Sequence, residues 1–392
     1  MDLTRAGTAP ASRFALWDLG FRPFYLVAGI FAAISIPIWI GQYAGYLPDA
    51  WSHAMFGHAH EMLFGYALAV IAGFLFTAVP AWTGHATPTG ATLAAFVLLW
   101  IVGRALAVTS FETAATLVNA AFPIAVAVAI GIPLVRSGNR RNYLFVLLLL
   151  LLSAVALAYQ LSFLGVLDVP ALASLQVGLD LVLFIIAVVG GRVIPMFTNN
   201  GVPDARATRN AVVEKAALGG VLLLLAADVL QAPSSMVAPL ALAVAVAHAA
   251  RLYLWQPWRT ARTALVWILH ASYGWIVVYL VLRSLAAGGM VSASLAIHAM
   301  TIGVIGGMTM GMMMRTARGH TGRALKADHF ELACFVLIEF AALIRVLGAM
   351  LFANAYLATV IVSGICWSLA FAIFSVRYWP VLSRSRLDGK PG

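Results

Sequence analysis

Gly57 to Met62 reads GHAHEM, which sets two imidazoles, His58 and His60, and a carboxylate, Glu61, directly before the apolar run LFGYALAVIAGFLFTAVPAW. Imidazoles in such a place bind metals, handle protons or bridge helices, because a neutral ring carries one donor and one acceptor nitrogen. His58 and His60 are two residues apart, about 200° around a helix, so both reach one metal only if the helix is unwound there. On regular geometry His60 is the expected ligand, in line with Phe64 and with His53 seven residues earlier. His58 shares a face with Glu61 and Met62, and that pair is expected to support the ligand or handle protons.

Further histidines lie in other apolar runs: His298 in AIHAMTIG, His270 in LHASYGW, and His248 beside Arg251. Counted from the ends of their runs, His60 and His298 fall in the same half at a similar depth, with His270 nearer the middle. Two apposed imidazoles among aromatics suit a haem iron, and three converging imidazoles suit copper. The metal-binding candidates are therefore His58, His60, His298 and His270, with Glu61 and His270 as the candidate catalytic groups. No C-x-x-C-H occurs, so a haem would be of the non-covalent b type. Arg104, Arg283 and Arg345 sit in the same half as His60 and are expected to hold its carboxylates; Arg192 and Arg315 leave their runs at the opposite end. Asp180, with Gln176 one turn before it, and Glu339 lie near mid-run, as proton carriers or as partners of an arginine. The methionines of GGMTMGMMMR cover every face of a helix and read as packing. For each histidine the plain alternative is a hydrogen bond between helices.

The elements that position these residues follow from composition. With 392 residues, 63% of them hydrophobic, 10% charged and a mean hydropathy of +0.96, the chain is an integral membrane protein. A crossing helix needs roughly 20 apolar residues. Twelve such runs are expected, at 20–44, 57–82, 89–109, 114–135, 142–166, 170–194, 210–230, 235–256, 261–287, 291–315, 328–352 and 355–379. They are continuous, unlike the short alternating strands of a membrane barrel. The fold class is all-α and polytopic, in a single membrane domain over 1–392.

The net charge of +10 is a topology signal, and nucleic acid is excluded as its reason. Apart from Arg104, Arg283 and Arg345, every Lys and Arg falls on alternate connections, including Arg136, Arg140 and Arg141. By the positive-inside rule that side and both termini are expected in the cytoplasm of a bacterium, with the chain in its inner membrane among lipid. No cleaved signal is read in the first nineteen residues, so the first run is expected to direct insertion. Cys334 and Cys366 fall at different depths and are expected as packed thiols.

Three runs leave the basic side alike, in AGFLFTAVPAWTG, VGGRVIPMFTNNG and IGGMTMGMMMRTARGHTG. Gly73, Gly191 and Gly307 are separated by 118 and 116 residues (191 − 73 and 307 − 191), as in three four-helix repeats. The glycines permit close approach, and Pro80 and Pro195 are expected to open the helix ends.

Several of these stretches together resemble the NnrS family: LGFRPFYL (Leu19 to Leu26), HAHEMLFGYALAVIAGFLFTAVPAWTG (His58 to Gly84), GGRVIPMFTNNG (Gly190 to Gly201) and GGMTMGMMMRTARGHTGR (Gly306 to Arg323). Ala81 departs from the pattern at the cytoplasmic exit, away from the histidines. The resemblance implies twelve spans, bound haem, an association with copper and a role in nitric oxide metabolism. By analogy with haem-copper oxidase subunit I, whose haem ligands lie in spans two and ten, His60 and His298 are the expected axial pair. The histidines those enzymes carry in spans six and seven are missing here. The expected function is binding and reduction of nitric oxide, with electrons from a donor the sequence does not identify. The alternatives are a secondary transporter and a haem-based sensor or assembly factor without turnover.

Overall fold

Inside hydrocarbon a backbone must satisfy its own polar groups, so long apolar runs are driven into helices. The computed structural model describes residues 13–48 and 54–390. Among these the chain is helical, with no strand beyond one isolated bridge between Phe14 and Arg384. The principal helices are α1 (Phe21–Tyr43), α2 (Gly57–Thr83), α3 (Gly90–Leu106), α4 (Glu112–Arg136), α5 (Tyr143–Phe163) and α6 (Ala171–Gly201). They continue with α7 (Ala211–Val229), α8 (Ser234–Leu254), α9 (Ala264–Ala287), α10 (Ala293–His320), α11 (His329–Leu351) and α12 (Tyr356–Ser383).

Ten of these, all but α3 and α7, are long and apolar enough to cross a membrane. The expectation of twelve spans is reduced to that extent for two reasons. Helix α3 has 17 residues, at the lower limit for a crossing, and α7 carries Glu214, Lys215 and Asp228 within its 19. The molecule is thus a multi-pass helical membrane protein with ten candidate spans.

Three helices change pitch along their length. In α2 the segment Glu61–Ala67 is π-helical, in α10 Ala299–Gly306, and in α11 Ile344–Gly348. A π turn bonds i to i+5, widens the helix and is concentrated at functional sites. The first two begin directly after His60 and His298, and Arg345 is the second residue of the third.

Glycines in and directly after the α10 π segment face close partners. A Cβ on Gly303 would collide with the Trp275 ring, on Gly306 with Trp367, and on Gly307 with Ser272. Gly73 and Gly191 likewise admit Phe24 and Arg251. That shared use follows from close helix packing and does not establish a repeat.

Pro80 and Pro195 do not open their helices: α2 runs on to Thr83, capped by the left-handed Gly84 at φ 72°, and α6 runs on to Gly201. Pro80 has no N–H for the Phe76 carbonyl, and the Thr87 hydroxyl donates to that oxygen instead, at 2.5 Å. The chain ends are knitted together on one face. Ala15 N donates to Ser383 O at 2.8 Å, Ser385 N to Arg13 O at 3.1 Å, and the buried Arg22 guanidinium to Leu382 O at 2.9 Å. Helix α1 consequently packs against α2, α10 and α12, and α10 against α9 and α11.

Candidate functional site

Helices α1, α2, α10, α11 and α12 bring one group of residues together. The His58 ring stacks on Trp39 of α1, centroids 4.2 Å apart and planes 21° from parallel. His58 and His298 lie within electrostatic range of one another and of Arg345. His298 Nδ1 donates to the Ser294 carbonyl at 2.6 Å, one helical turn back, which fixes the tautomer and leaves Nε2 as the atom able to coordinate. Arg345 donates through Nη2 to Tyr356 Oη at 2.8 Å and reaches Ser294 Oγ at 3.5 Å. Its Nη1 is buried with no hydrogen-bond partner. Buried donors are nearly always paired, so this atom marks a place for an anionic or carbonyl group.

His60 turns elsewhere. Its Nδ1 donates to Glu61 Oε1 at 2.9 Å, and Glu61 Oε2 pairs with Arg104 Nε at 3.0 Å. Arg104 also donates to Asn119 of α4. Trp100 Nε1 donates to the Gly65 carbonyl at 3.0 Å, taking up a backbone acceptor within the π segment. His60 Nε2 is buried and unpartnered, beside a cavity of about 60 Å³ bordered by Thr109, Glu112, Tyr159 and Gln160.

The grouping read from regular helix geometry is therefore reversed. Glu61 attends His60 rather than His58, and His58 rather than His60 stands with His298. Both rings precede the π segment, so the angle between them is kept; the wider pitch from Glu61 onward changes the phase of both against Leu68–Thr83, which a regular helix does not anticipate. His53, the residue aligned with His60 in the sequence, lies outside the described residues.

The remaining candidates are distributed elsewhere. Arg283 does not join the histidines: its guanidinium pairs with Asp180 Oδ1 at 2.8 Å and with Asp228, and meets Tyr279 Oη at 3.1 Å. Gln176 Nε2 bonds both Tyr279 Oη at 2.9 Å and Asp180 Oδ1 at 3.2 Å, which completes a buried ionic knot between α6, α7 and α9. His270 Nε2 sits 2.8 Å from Thr198 Oγ1. That hydroxyl already donates to Ile194 O, so the ring must be the donor. Beside it, Tyr273 Oη bonds His248 Nδ1 at 2.7 Å and Arg251 at 2.9 Å, and Arg251 forks onto Glu214 at 2.8 and 2.6 Å. His270 thus hydrogen-bonds within an α6–α9 network and not with the residues that surround His298. Glu339 accepts from Trp275 Nε1 at 2.8 Å. Arg315 stacks over Phe197 at 3.9 Å, and Arg192 donates to Asn142 Oδ1 at 2.8 Å. Among the described residues no three His, Cys, Asp or Glu side chains converge in a way that could hold a metal ion, so the three-imidazole copper set is not formed there.

Sequence reasoning passed over Ser294, Trp39, Tyr356, Asn119 and Asp228. Ser294 was discoverable, since it precedes His298 by one turn; Trp39 and Tyr356 carry no local signal because their helices are distant in sequence.

Fold and site together define a multi-pass helical membrane protein with a half-buried pair of histidines and a buried arginine at the meeting of five helices. The chain belongs to the NnrS family: a match to the family described as NnrS protein covers residues 15–386. Membership fits a membrane protein related to nitric oxide. No curated protein resembles the sequence closely enough to count as a match.

Proposed function

We propose that this protein binds haem b at the His58–His298 site, where both imidazoles would hold it until one gives way to nitric oxide, and that it reduces nitric oxide with electrons from an external donor. The observation that carries the reading is the buried, unpartnered Nη1 of Arg345, on a guanidinium that acts electrostatically on both His58 and His298. The donor set fits the group. His298 offers Nε2 with Nδ1 already anchored, Trp39 fixes the plane of the His58 ring, and Arg345 provides a cation for a carboxylate. What haem supplies when bound is an iron that takes nitric oxide as a ligand and changes oxidation state. Around it the chain's own residues orient and exclude. The Ser294 carbonyl prevents rotation of the His298 ring, and Tyr356 and Ser294 hold Arg345 in place. Nitric oxide dissolves in lipid, so a site among helices receives it without a polar channel. His60 Nε2, with Nδ1 engaged by Glu61, is free to exchange a proton with water in the adjoining cavity. Arg104 keeps Glu61 in place for that task. Twelve crossings and both termini in the cytoplasm belong to the same proposal, supported by the alternation of basic connections.

The purified protein is expected to be red, with a Soret band that shifts on addition of nitric oxide. A folded, colourless preparation refutes the reading and leaves the transporter alternative. Consumption of nitric oxide in the presence of a reductant separates an enzyme from a sensor. His58→Ala and His298→Ala are each expected to lose haem while His60→Ala retains it; retention by both of the first two overturns the ligand assignment.

A further inference from the structure

Away from the histidines, the paired helices α4 and α5 leave an open crevice of about 450 Å³ along their outer side. Its walls are Val128, Gly131, Ile132 and Val135 from α4, and Val146 and Leu150 from α5, with Arg136 closing one end. The volume lies within the range of about 300–1,000 Å³ found for sites that take small ligands. Gly131 keeps the crevice open: a Cβ there would come no nearer than 3.7 Å to Val146, so there is room that no side chain of the protein fills.

At the Arg136 end the turn RSGNRR adds Arg140 and Arg141, both exposed like Arg136. None of the three has a carboxylate partner among the ion pairs of the described residues. Among the described residues some arginines elsewhere are paired, Arg318 with Glu331, Arg377 with Asp328 and Arg386 with Asp388, while the exposed Arg206, Arg259, Arg262 and Arg384 are not; what sets the three apart is the apolar crevice beside them. An apolar slot running along two helices thus ends at three uncompensated cations. Apolar walls suit an acyl chain, and guanidinium groups bind phosphate oxygens through paired donors.

We propose that the α4–α5 crevice is a binding site for an anionic phospholipid, the acyl chain lying against Gly131 and Val146 and the phosphate held by Arg136, Arg140 and Arg141. The site is independent of the haem reading and uses none of its residues. A zwitterionic lipid would fill the slot but bring its own cation to the arginines, so the preference is for phosphatidylglycerol-type headgroups.

The test is native mass spectrometry of the full-length protein released from micelles doped with equal amounts of phosphatidylglycerol and phosphatidylcholine of the same chains. Phosphatidylglycerol is expected to remain bound preferentially, with affinity falling about fivefold for each arginine replaced by Gln. Gly131→Phe fills the slot with the arginines intact, and is expected to remove the retained lipid while leaving haem content unchanged. Equal retention of the two lipids, or retention of phosphatidylglycerol undiminished by Gly131→Phe, overturns the proposal. The glycine variant keeps the question decidable should the triple arginine variant fail to fold.

Discussion

Replacing Arg283 by Gln separates two accounts of that residue, a holder of the cofactor and the central cation of a buried knot. Asp180 is 0% exposed, its Oδ1 is 2.8 Å from Arg283 Nη1, and its Oδ2 has no partner. Removing the guanidinium strands this carboxylate in an apolar interior, together with the Asp228 carboxylate of α7, whose side chain is 15% exposed. Breaking a buried pair from one side costs about 3–5 kcal/mol, and proton uptake by the stranded acid limits the cost to that range. Asp180→Asn on top of Arg283→Gln removes the more deeply buried of the two charges and leaves only Asp228, which is partly exposed, and is expected to recover about 2 kcal/mol or more. The measurement is reversible unfolding in mixed micelles by titration with a denaturing detergent, followed by tryptophan fluorescence, with haem per protein recorded in parallel. Haem content is expected to stay constant across the series. The reasoning fails if Arg283→Gln costs less than about 1 kcal/mol, if the double variant is no more stable than the single, or if haem is lost without loss of stability.

Gly303→Ala places a methyl against the Trp275 ring and is expected to cost about 1–3 kcal/mol through overpacking, read in the same unfolding titration. Gly65→Ala collides with Arg104 Nη1 and should displace it from Glu61; a crystal or cryo-EM structure with the 3.0 Å ion pair intact would contradict this. At the membrane surface, the hydrogen-bonded Arg386 guanidinium holds the Asp388 carboxyl down from the ordinary 3.8 to about 2. A depressed acid stabilises the folded tail fully above its unfolded value and loses that contribution as pH falls through the folded one. Protection of residues 384–390 from hydrogen exchange is therefore expected to be constant above pH 3.8 and to decline as the pH falls toward about 2. Asp388→Asn should abolish that pH dependence.

Much of the architecture could be read from composition, because hydrocarbon leaves an apolar backbone little choice but the helix. The third and seventh runs stood apart for reasons also written in the sequence, namely the shortness of Gly90–Leu106 and the acids Glu214 and Asp228. The individual histidines were visible as costly residues in apolar surroundings, but their grouping was not. That grouping depends on the pitch of EMLFGYA, a string whose residues fit an α turn as well as a π turn. Arg283 was misassigned because depth alone was used, and depth does not say which neighbour lies across the helix interface. Its partner Asp228 comes 55 residues earlier, on a helix that nothing in the local pattern places beside it.

The π segment of α2 also makes residue count a determinant of the site. Each turn bonded i to i+5 carries one residue more than its α counterpart, so the segment works as a phase shifter between the two ends of the helix. Deleting a single residue within Glu61–Ala67 would let α2 return to regular α pitch with its two ends in nearly their present phase. Winding the same 7 residues as a regular α-helix would instead swing its first turns by about 100° against Leu68–Thr83. His58 would leave Trp39 and His60 would turn toward the face His58 now occupies, although no side chain at the site had been altered. In related chains, a one-residue gap at this point should therefore go with a regular α2 and unchanged roles for the two histidines of HAH.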